Sequence, residues 1–410
     1  MTSMPLSGIR VLDLTRVLAG PWTAQTLADL GADVIKVERP GTGDESRIFG
    51  PPFLKDNEGK NTQLSAMFLA ANRNKKSVVV DFSKPEGREV IRKLASTADV
   101  LIENYKVGDL KRFGLDYDGL KEANPKLVYC SITGFGQTGP YKQRRGYDPI
   151  AQAMSGIMSV TGFPGDQPGG GPMKAGPSVV DLFAACYAVI AIQGALYHRE
   201  KNSGRGQYID MSLLDAGVTL MAHPAMTYVL TGQSPGLVGT QANGGAPGGG
   251  FQCADGYIMV APGNNELYVK FCSAIGMPEM ATDERFVTNP KRMVNRAALM
   301  EILNAHMLKW KVRDLYDVLV KAGVPASPVN NVEDVFADPQ VQNRQMVVDV
   351  PHPSAGNVKI VNNPIRYSDT PIGNFTAPPA LGEHTDEVLS GVLGMTPAEI
   401  RSLRDLGAIG

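Results

Sequence analysis

The chain has few of the features that would place it in a specialised class. It has only four cysteines, Cys130, Cys186, Cys253 and Cys272, none in Cys-x-x-Cys spacing. Cys130 and Cys186 sit in apolar runs where free buried thiols are common, so a disulfide framework is excluded and a reducing compartment is expected. The five histidines, His198, His223, His306, His352 and His384, are scattered without ligand spacing, and no metal site is expected. Neither charge sign is in surplus. Lys and Arg number 40 against 41 Asp and Glu, so no general basic field invites nucleic acid, and any anion must be gripped locally. Phosphate loop, nucleophile elbow, zinc motif and internal repeat are all missing. Met1-Thr2-Ser3-Met4-Pro5-Leu6 shows neither an apolar signal core nor an Arg-rich presequence, and no apolar run reads as long and clean enough to span a bilayer. The expectation is a cytoplasmic protein with no membrane partner.

What is present is an ordinary globular composition, 43% hydrophobic over 410 residues, enough for two cores. Short apolar runs at Val11–Leu14, Val34–Val37, Ser77–Phe82, Val100–Ile102 and Leu127–Ile132 alternate with helical patterns at 22–30, 86–95 and 117–123. Strands separated by helices of this length predict parallel pairing and right-handed crossovers, an α/β fold with a nucleotide-binding style sheet. Ligands should gather beyond the strand C-terminal ends, where Arg16, Arg39, Lys106 and Arg112 fall. A strand at 208–211 and a helix over 213–230 follow, then a Gly, Pro, Ala and Gln-rich stretch from Ser234 to Gly250 that reads as a linker. A hairpin through Phe251–Val260, turning at Asp255-Gly256, and helices near 267–275, 296–310 and 312–322 predict a small α+β domain. Terminal helices at 386–393 and 397–406 can rejoin the first sheet. The expected organisation is 1–230 as the N-terminal part of a large Rossmann-like domain, 231–330 as linker and small domain, and 331–410 as return linker and C-terminal part of the large domain.

Asp181 stands out among the candidates. It lies alone between apolar stretches at the head of a helix with no other charge until His198-Arg199-Glu200. Burial pushes such a carboxylate toward protonation while a helix N-terminus favours the anion, so the residue suits a carboxylate nucleophile. It equally suits a helix N-cap behind Pro177. Gly134-Phe135-Gly136-Gln137-Thr138-Gly139 spells Gly-x-Gly-x-x-Gly after a predicted strand, but the dinucleotide fingerprint needs a helix opening in that loop, and Pro140 to Tyr147 is polar and aperiodic. The run from Asn243 to Gly250 reads either as an interdomain connector or as a loop whose bare N–H groups cover a reacting carboxylate.

Several segments then converge on one family. Leu12-Asp13-Leu14-Thr15-Arg16-Val17-Leu18-Ala19-Gly20-Pro21, Val34 to Gly41, Asn72 to Ser77, Glu103-Asn104-Tyr105, Gly134 to Pro140, Gly146-Tyr147-Asp148 and Leu381-Gly382-Glu383-His384-Thr385 resemble, in collinear order, the family III CoA-transferases. The resemblance implies an interlocked homodimer, each chain with a large Rossmann-like domain and a small domain. It places Asp181 at the catalytic aspartate, which forms an acyl mixed anhydride and then an aspartyl-CoA thioester. It implies CoA contacts from Val17, Leu18, Arg39, Asn104, Tyr105, Lys106 and Arg112, and a glycine loop at Gly248, Gly249 and Gly250. No tightly bound cofactor is implied; the CoA thioester is a substrate, with a small carboxylic acid as acceptor.

The departures narrow the chemistry. Leu18 stands where formyl-CoA:oxalate transferases have Gln, which argues against an oxalate site. Tyr147 and Gln252 stand where the related 2-methylacyl-CoA racemases have a His and an acidic residue, so the two-base exchange of racemisation lacks its partner. Gly50 to Phe53, Tyr129 to Thr133, Gly263-Asn264-Asn265 and Asn363 to Ser368 look most like the dicarboxylate members that pair succinyl-CoA with glutarate. The reading is transfer of CoA from a succinyl-CoA-like donor to a small dicarboxylic acid, with Arg73, Lys142 or Arg145 as candidates for the distal carboxylate. The alternatives are a racemase, which washes deuterium into the α-position, and a non-catalytic CoA-binding protein, which survives loss of Asp181.

Overall fold

A computed structural model describes residues 4–166, 168–241 and 244–410. Met1-Thr2-Ser3 of the N-terminal reading and Asn243 of the glycine-rich run lie outside them. The chain divides into two compact units: Met1–Ile157, Lys174–Ala225 and Gln342–Gly410 form one, Met158–Met173 and Met226–Val341 the other.

The first unit is built on a six-stranded sheet. Its strands are β1 (Arg10–Asp13), β2 (Asp33–Glu38), β3 (Lys75–Val79), β4 (Val100–Glu103), β5 (Val128–Thr133) and β6 (Tyr208–Ser212), in the order β3-β2-β1-β4-β5-β6 with every pair parallel. Because both faces are covered, the central strands are nearly continuous runs of buried aliphatic residues, and alternate side chains feed opposite cores. Val11, Val34, Val100 and Ile102 point to the side packed with α1 (Ala19–Asp29) and α4 (Val179–His198). Leu12, Ile35, Val37 and Leu101 point to the side packed with α2 (Pro85–Thr97), α9 (Thr385–Leu393) and α10 (Pro397–Asp405). Helices α3 (Asp148–Met154) and α5 (Leu213–Leu220) flank α4.

Two expectations need correction. The helix expected over 213–230 is two, Leu213–Leu220 and Ala222–Thr231, with Ala222 at φ 40° opening the second. Pro224 explains the break: within one continuous helix it would remove the hydrogen bond to Leu220 and drive its ring into that carbonyl, whereas in the first turn of a new helix it is tolerated. And one stretch, Val179–Ser203, is helical, long and apolar enough on length and composition to cross a membrane. Here Val180, Ala184, Ala188, Ile192 and Ala195 of that helix are buried in the core cluster shared with β1, β4 and β5, a role that demands the same composition.

The second unit holds a three-stranded antiparallel sheet, β7 (Gly249–Gln252), β8 (Tyr257–Val260) and β9 (Ala326–Pro328), in the order β9-β8-β7. Its core joins Phe251, Ile258, Phe271, Leu303, Leu315 and Leu319, the last four from α6 (Asn265–Ala274), α7 (Arg296–Met307) and α8 (Val312–Lys321). Buried Arg292 organises the approach to β7: it donates to the carbonyls of Ala246 (2.6 Å) and Phe286 (3.0 Å) and to Asn265 Oδ1 (3.0 Å) while stacking on Tyr268.

Candidate active site

Helix α4 begins at Val179, which puts Asp181 inside the first turn instead of at the cap. Ser178 occupies the cap position and its side chain makes no capping bond. The cap comes from α3. Asp148 Oδ1 accepts from the amides of Val180 (2.9 Å) and Asp181 (3.3 Å), while Oδ2 accepts from Gln152 Nε2 (2.6 Å). Gln152 in turn accepts from the Ala175 amide through Oε1 (2.8 Å), which ties the segment before α4 to α3. Asp181 is therefore freed from structural work: its carboxylate accepts no hydrogen bond from the described residues. Burial, and then the charge of Asp148, raise its pKa to about 7.

The Gly-x-Gly-x-x-Gly segment contributes by placing Asp148. Gly134 packs against Gly146, and a Cβ on Gly134 would lie 2.5 Å from the Gly146 Cα, so a side chain at either position would force the crossing chains apart two residues before Asp148. Gly136 adopts φ +80° and donates to Thr133 Oγ1 (3.0 Å), and the Gln137 amide donates to Asp210 (2.9 Å). The next helix opens only at Asp148, so the dinucleotide reading has no helix N-terminus to use.

At the C-terminal ends of β1 to β4 lies a cavity of about 330 Å³. Arg39, Tyr105 and Arg112 meet in its walls, joined by Arg16. Phe82 stands edge-on to Tyr105 and to Phe113, both at 5.6 Å; the Arg112 guanidinium lies over Phe113 (4.6 Å) and that of Arg16 over Tyr105 (4.8 Å). Burial raises Tyr105 to about 12 and keeps it a neutral phenol. Flat aromatic and guanidinium surfaces beside free cationic charge suit a planar base joined to phosphates. Arg16 pairs with Glu45 (2.6 Å), which also stands 3.8 Å from Arg39; Arg112 has no ion-pair partner among the described residues.

The other expected contacts lie elsewhere. Val17 is held at φ 72°, and Leu18 is buried at the uncapped start of α1. Asn104 spends both polar atoms on the backbone of Arg16. Lys106 lines a neighbouring cavity of about 300 Å³ with Glu103, Tyr117, Gln137 and Tyr208. Glu103 there accepts from Ser131 Oγ and the Tyr105 amide, and burial raises it to about 7. Asp181 belongs to the walls of neither cavity. Gly248, Gly249 and Gly250 belong to the second unit, where Gly249 and Gly250 open β7 and a Cβ on Gly249 would lie 2.8 Å from the Thr240 carbonyl. Arg73 is buried on Asp29 and the Val361 carbonyl, and is unavailable to a substrate carboxylate; Lys142 and Arg145 are exposed.

Beneath the first cavity lies an ionic frame that sequence reasoning missed. Lys36 donates to Asp44 (2.9 Å) and to the Thr15 carbonyl (2.8 Å); Lys75 donates to Asp13, Asn72 and the Pro21 carbonyl, all at 2.9 Å; Arg47 grips both oxygens of Glu38 (2.6 and 2.7 Å). Burial opposes ionisation of Asp13, but Lys75 and Lys36 prevail and hold it below the usual carboxylate range; Lys36 likewise depresses Asp44. The available signal was a charge set between apolar neighbours, Asp13 between Leu12 and Leu14 and Lys36 between Ile35 and Val37.

Residues 6–385 match the model of CoA-transferase family III. The chain is 46% identical over 386 residues to succinate–glutarate CoA-transferase of Agrobacterium fabrum, covering 94% of this chain and 95% of that one. It is 39% identical over 405 residues to human succinyl-CoA:glutarate CoA-transferase, covering 99% and 90%. A crystal structure of a CAIB/BAIF family protein from Brucella suis superposes with a TM-score of 0.86 at 46% identity, over 95% of this chain and all of that one.

Proposed function

The chain belongs to CoA-transferase family III and is a CoA-transferase, and on that premise we propose that it moves CoA from a short acyl-CoA of the succinyl type to a small dicarboxylic acid such as glutarate. The names of its relatives support this substrate class. Asp181 carries the mechanism: it is a desolvated carboxylate with its lone pairs unengaged, raised to about 7 by burial and by Asp148.

In the proposed sequence the Asp181 carboxylate attacks the thioester carbonyl, the C–S bond breaks, and the CoA thiolate departs to leave an acyl-aspartyl anhydride. The thiolate attacks the Asp181 acyl carbon, expelling the donor acid as its carboxylate and leaving an aspartyl-CoA thioester. The acceptor carboxylate attacks that thioester, releasing thiolate and forming a second anhydride. Thiolate attack on the acceptor's acyl carbon then frees Asp181 and the new acyl-CoA. Each intermediate conserves the activation of the original thioester if water is kept out. Arg39, Arg112 and Tyr105 hold the CoA moiety in the first cavity. The glycines at 248–250 serve as the cover, CoA enters as substrate with no resident cofactor, and the chain works in the cytoplasm as the family's interlocked homodimer.

Incubation with succinyl-CoA and glutarate, with products read by mass spectrometry, tests the transfer; no product across a panel of dicarboxylates refutes it. Hydroxylamine or borohydride trapping after acyl-CoA addition must place the label on the peptide containing Asp181.

A further inference from the structure

Between β1 and α1 the chain turns through Arg16 and Val17, and Val17 stands at φ 72°. That conformation favours glycine; for a β-branched residue the Cβ crowds the backbone, and the state persists only where its surroundings impose it. Three neighbours impose it here. The Val17 amide donates to Asp44 Oδ1 (3.1 Å), an atom that also accepts from the Ser46 amide (2.9 Å) and hydroxyl (2.8 Å). Lys36, fully buried, holds the other oxygen of Asp44 and the carbonyl of Thr15. Asn104, from the end of β4, clamps Arg16 from both sides: Oδ1 accepts from the Arg16 amide (3.0 Å) and Nδ2 donates to its carbonyl (2.7 Å). The turn carries Arg16 over the Tyr105 ring, in the wall of the first cavity.

We propose that Asp44 and Asn104 are positioning residues that hold the Arg16–Val17 turn in its strained left-handed form and thereby shape the cavity for acyl-CoA. This rests on the reading of that cavity as the CoA site. Both residues act through the backbone: Asn104 directs Oδ1 and Nδ2 at the Arg16 amide and carbonyl, and Asp44 is engaged by Lys36, Ser46 and Val17. Strain of this kind keeps the cavity preformed, because the turn cannot relax without releasing the clamp.

A latch and a direct ligand contact differ in how they respond to removal of the strain. Glycine adopts positive φ freely, so Val17→Gly relieves the load that the clamp resists. Four proteins are compared: wild type, Asn104→Ala, Val17→Gly and the double variant, with CoA affinity measured by calorimetry and folding checked by circular dichroism. In the Val17 chain Asn104→Ala weakens CoA binding on the order of tenfold, whereas in the Val17→Gly background the same change costs less than about threefold. Equal losses in both backgrounds overturn the latch and make Asn104 an ordinary contact. Asp44→Asn, which keeps an acceptor for the Val17 amide, is the second probe; because it leaves Lys36 buried without its partner, it is scored only by its dependence on the residue at 17. Amide hydrogen exchange separates this inference from the functional reading. Asn104→Ala must speed exchange at the Val17 amide, which Asn104 does not touch, with no ligand present. Unchanged exchange there refutes the latch. Absence of CoA binding in the wild type refutes the cavity assignment, and exchange still decides the latch.

Discussion

The most exposed consequence of the site's geometry is its pH dependence, and Asp148→Asn isolates it. In the wild type the Asp181 carboxyl titrates near 7, raised first by burial and second by the Asp148 charge. In the proposed mechanism only the anion attacks, so trapped acyl-enzyme formed from acyl-CoA alone should rise tenfold per pH unit below the midpoint and level off above it. Asparagine at 148 keeps an oxygen toward the Val180 and Asp181 amides and so preserves the cap, but it removes the like charge. The amide that replaces Oδ2 faces Gln152 Nε2, and turning Gln152 to suit it forfeits the Ala175 bond, worth about 1 kcal/mol of stability. Because Asp148 is the smaller of the two causes, the midpoint should fall by roughly one unit, or about 1.4 kcal/mol. At pH 6 the ionised fraction then rises from about a tenth to about a half, so single-turnover trapping gains about fivefold there while the plateau above pH 8 changes little or drops. Asp148→Ala, which removes the acceptor as well, should lose rate at every pH. A midpoint that stays near 7 in Asp148→Asn, or moves upward, refutes the electrostatic coupling of the two aspartates.

Asp181→Ala should abolish transfer and trapping yet keep CoA affinity within about threefold, since Asp181 is outside the cavity walls; calorimetry checks this. Arg112→Ala should weaken CoA binding about tenfold, with a shallower salt dependence than the wild type, as loss of one phosphate-type contact requires. Glu103 is raised by burial to about 7 in the fold against 4.5 when exposed, so between those values the native state holds a proton that the unfolded chain has released, and stability falls as pH rises through that window. Glu103→Gln mimics the protonated acid, and urea titration should find it on the order of 3 kcal/mol more stable than wild type at pH 8 and equal at pH 4. Arg47→Met strands buried Glu38 and should cost about 3–5 kcal/mol, seen as a fall in thermal midpoint.

Much of the first sheet was legible because a parallel strand covered on both faces has no polar register to confuse its pattern: Val34-Ile35 and Val100-Leu101-Ile102 are buried throughout. Asp181 was legible for the converse reason, as a charge with no polar company in sequence. Its partner was not. Asp148 lies 33 residues upstream and caps α4 through space, so no local cap signature marks it. The motif Leu381 to Thr385 was visible as a pattern, but its work appears only in three dimensions: the Gly382 amide donates to Ser77 Oγ (2.9 Å), the His384 amide to the Ser77 carbonyl (3.0 Å), and the Val79 amide to Thr385 Oγ1 (3.1 Å), fastening the C-terminal segment onto β3. Arg73 shows the opposite failure. It was a candidate for the distal carboxylate of a dicarboxylic acid, yet its partner Asp29 is 44 residues away and buries it.

Five carboxylates of this unit sort by what surrounds them, and that sorting argues for which one reacts. Asp13, Glu38 and Asp44 each meet at least one ammonium or guanidinium and further donors, so their lone pairs are engaged and their basicity falls below the ordinary carboxylate range. Such groups hold loops at a sheet edge well and attack carbonyls poorly. Glu103 is basic, but Ser131 and the Tyr105 amide occupy its oxygens. Asp181 alone among these five combines raised basicity with unoccupied oxygens, and it can do so because Asp148 takes over the capping of α4 that would otherwise consume it. Restoring a capping role to Asp181 should therefore inactivate the enzyme as surely as deleting it: Asp148→Ala leaves the Val180 and Asp181 amides without an acceptor, and whatever recruits the Asp181 carboxylate to them withdraws the nucleophile.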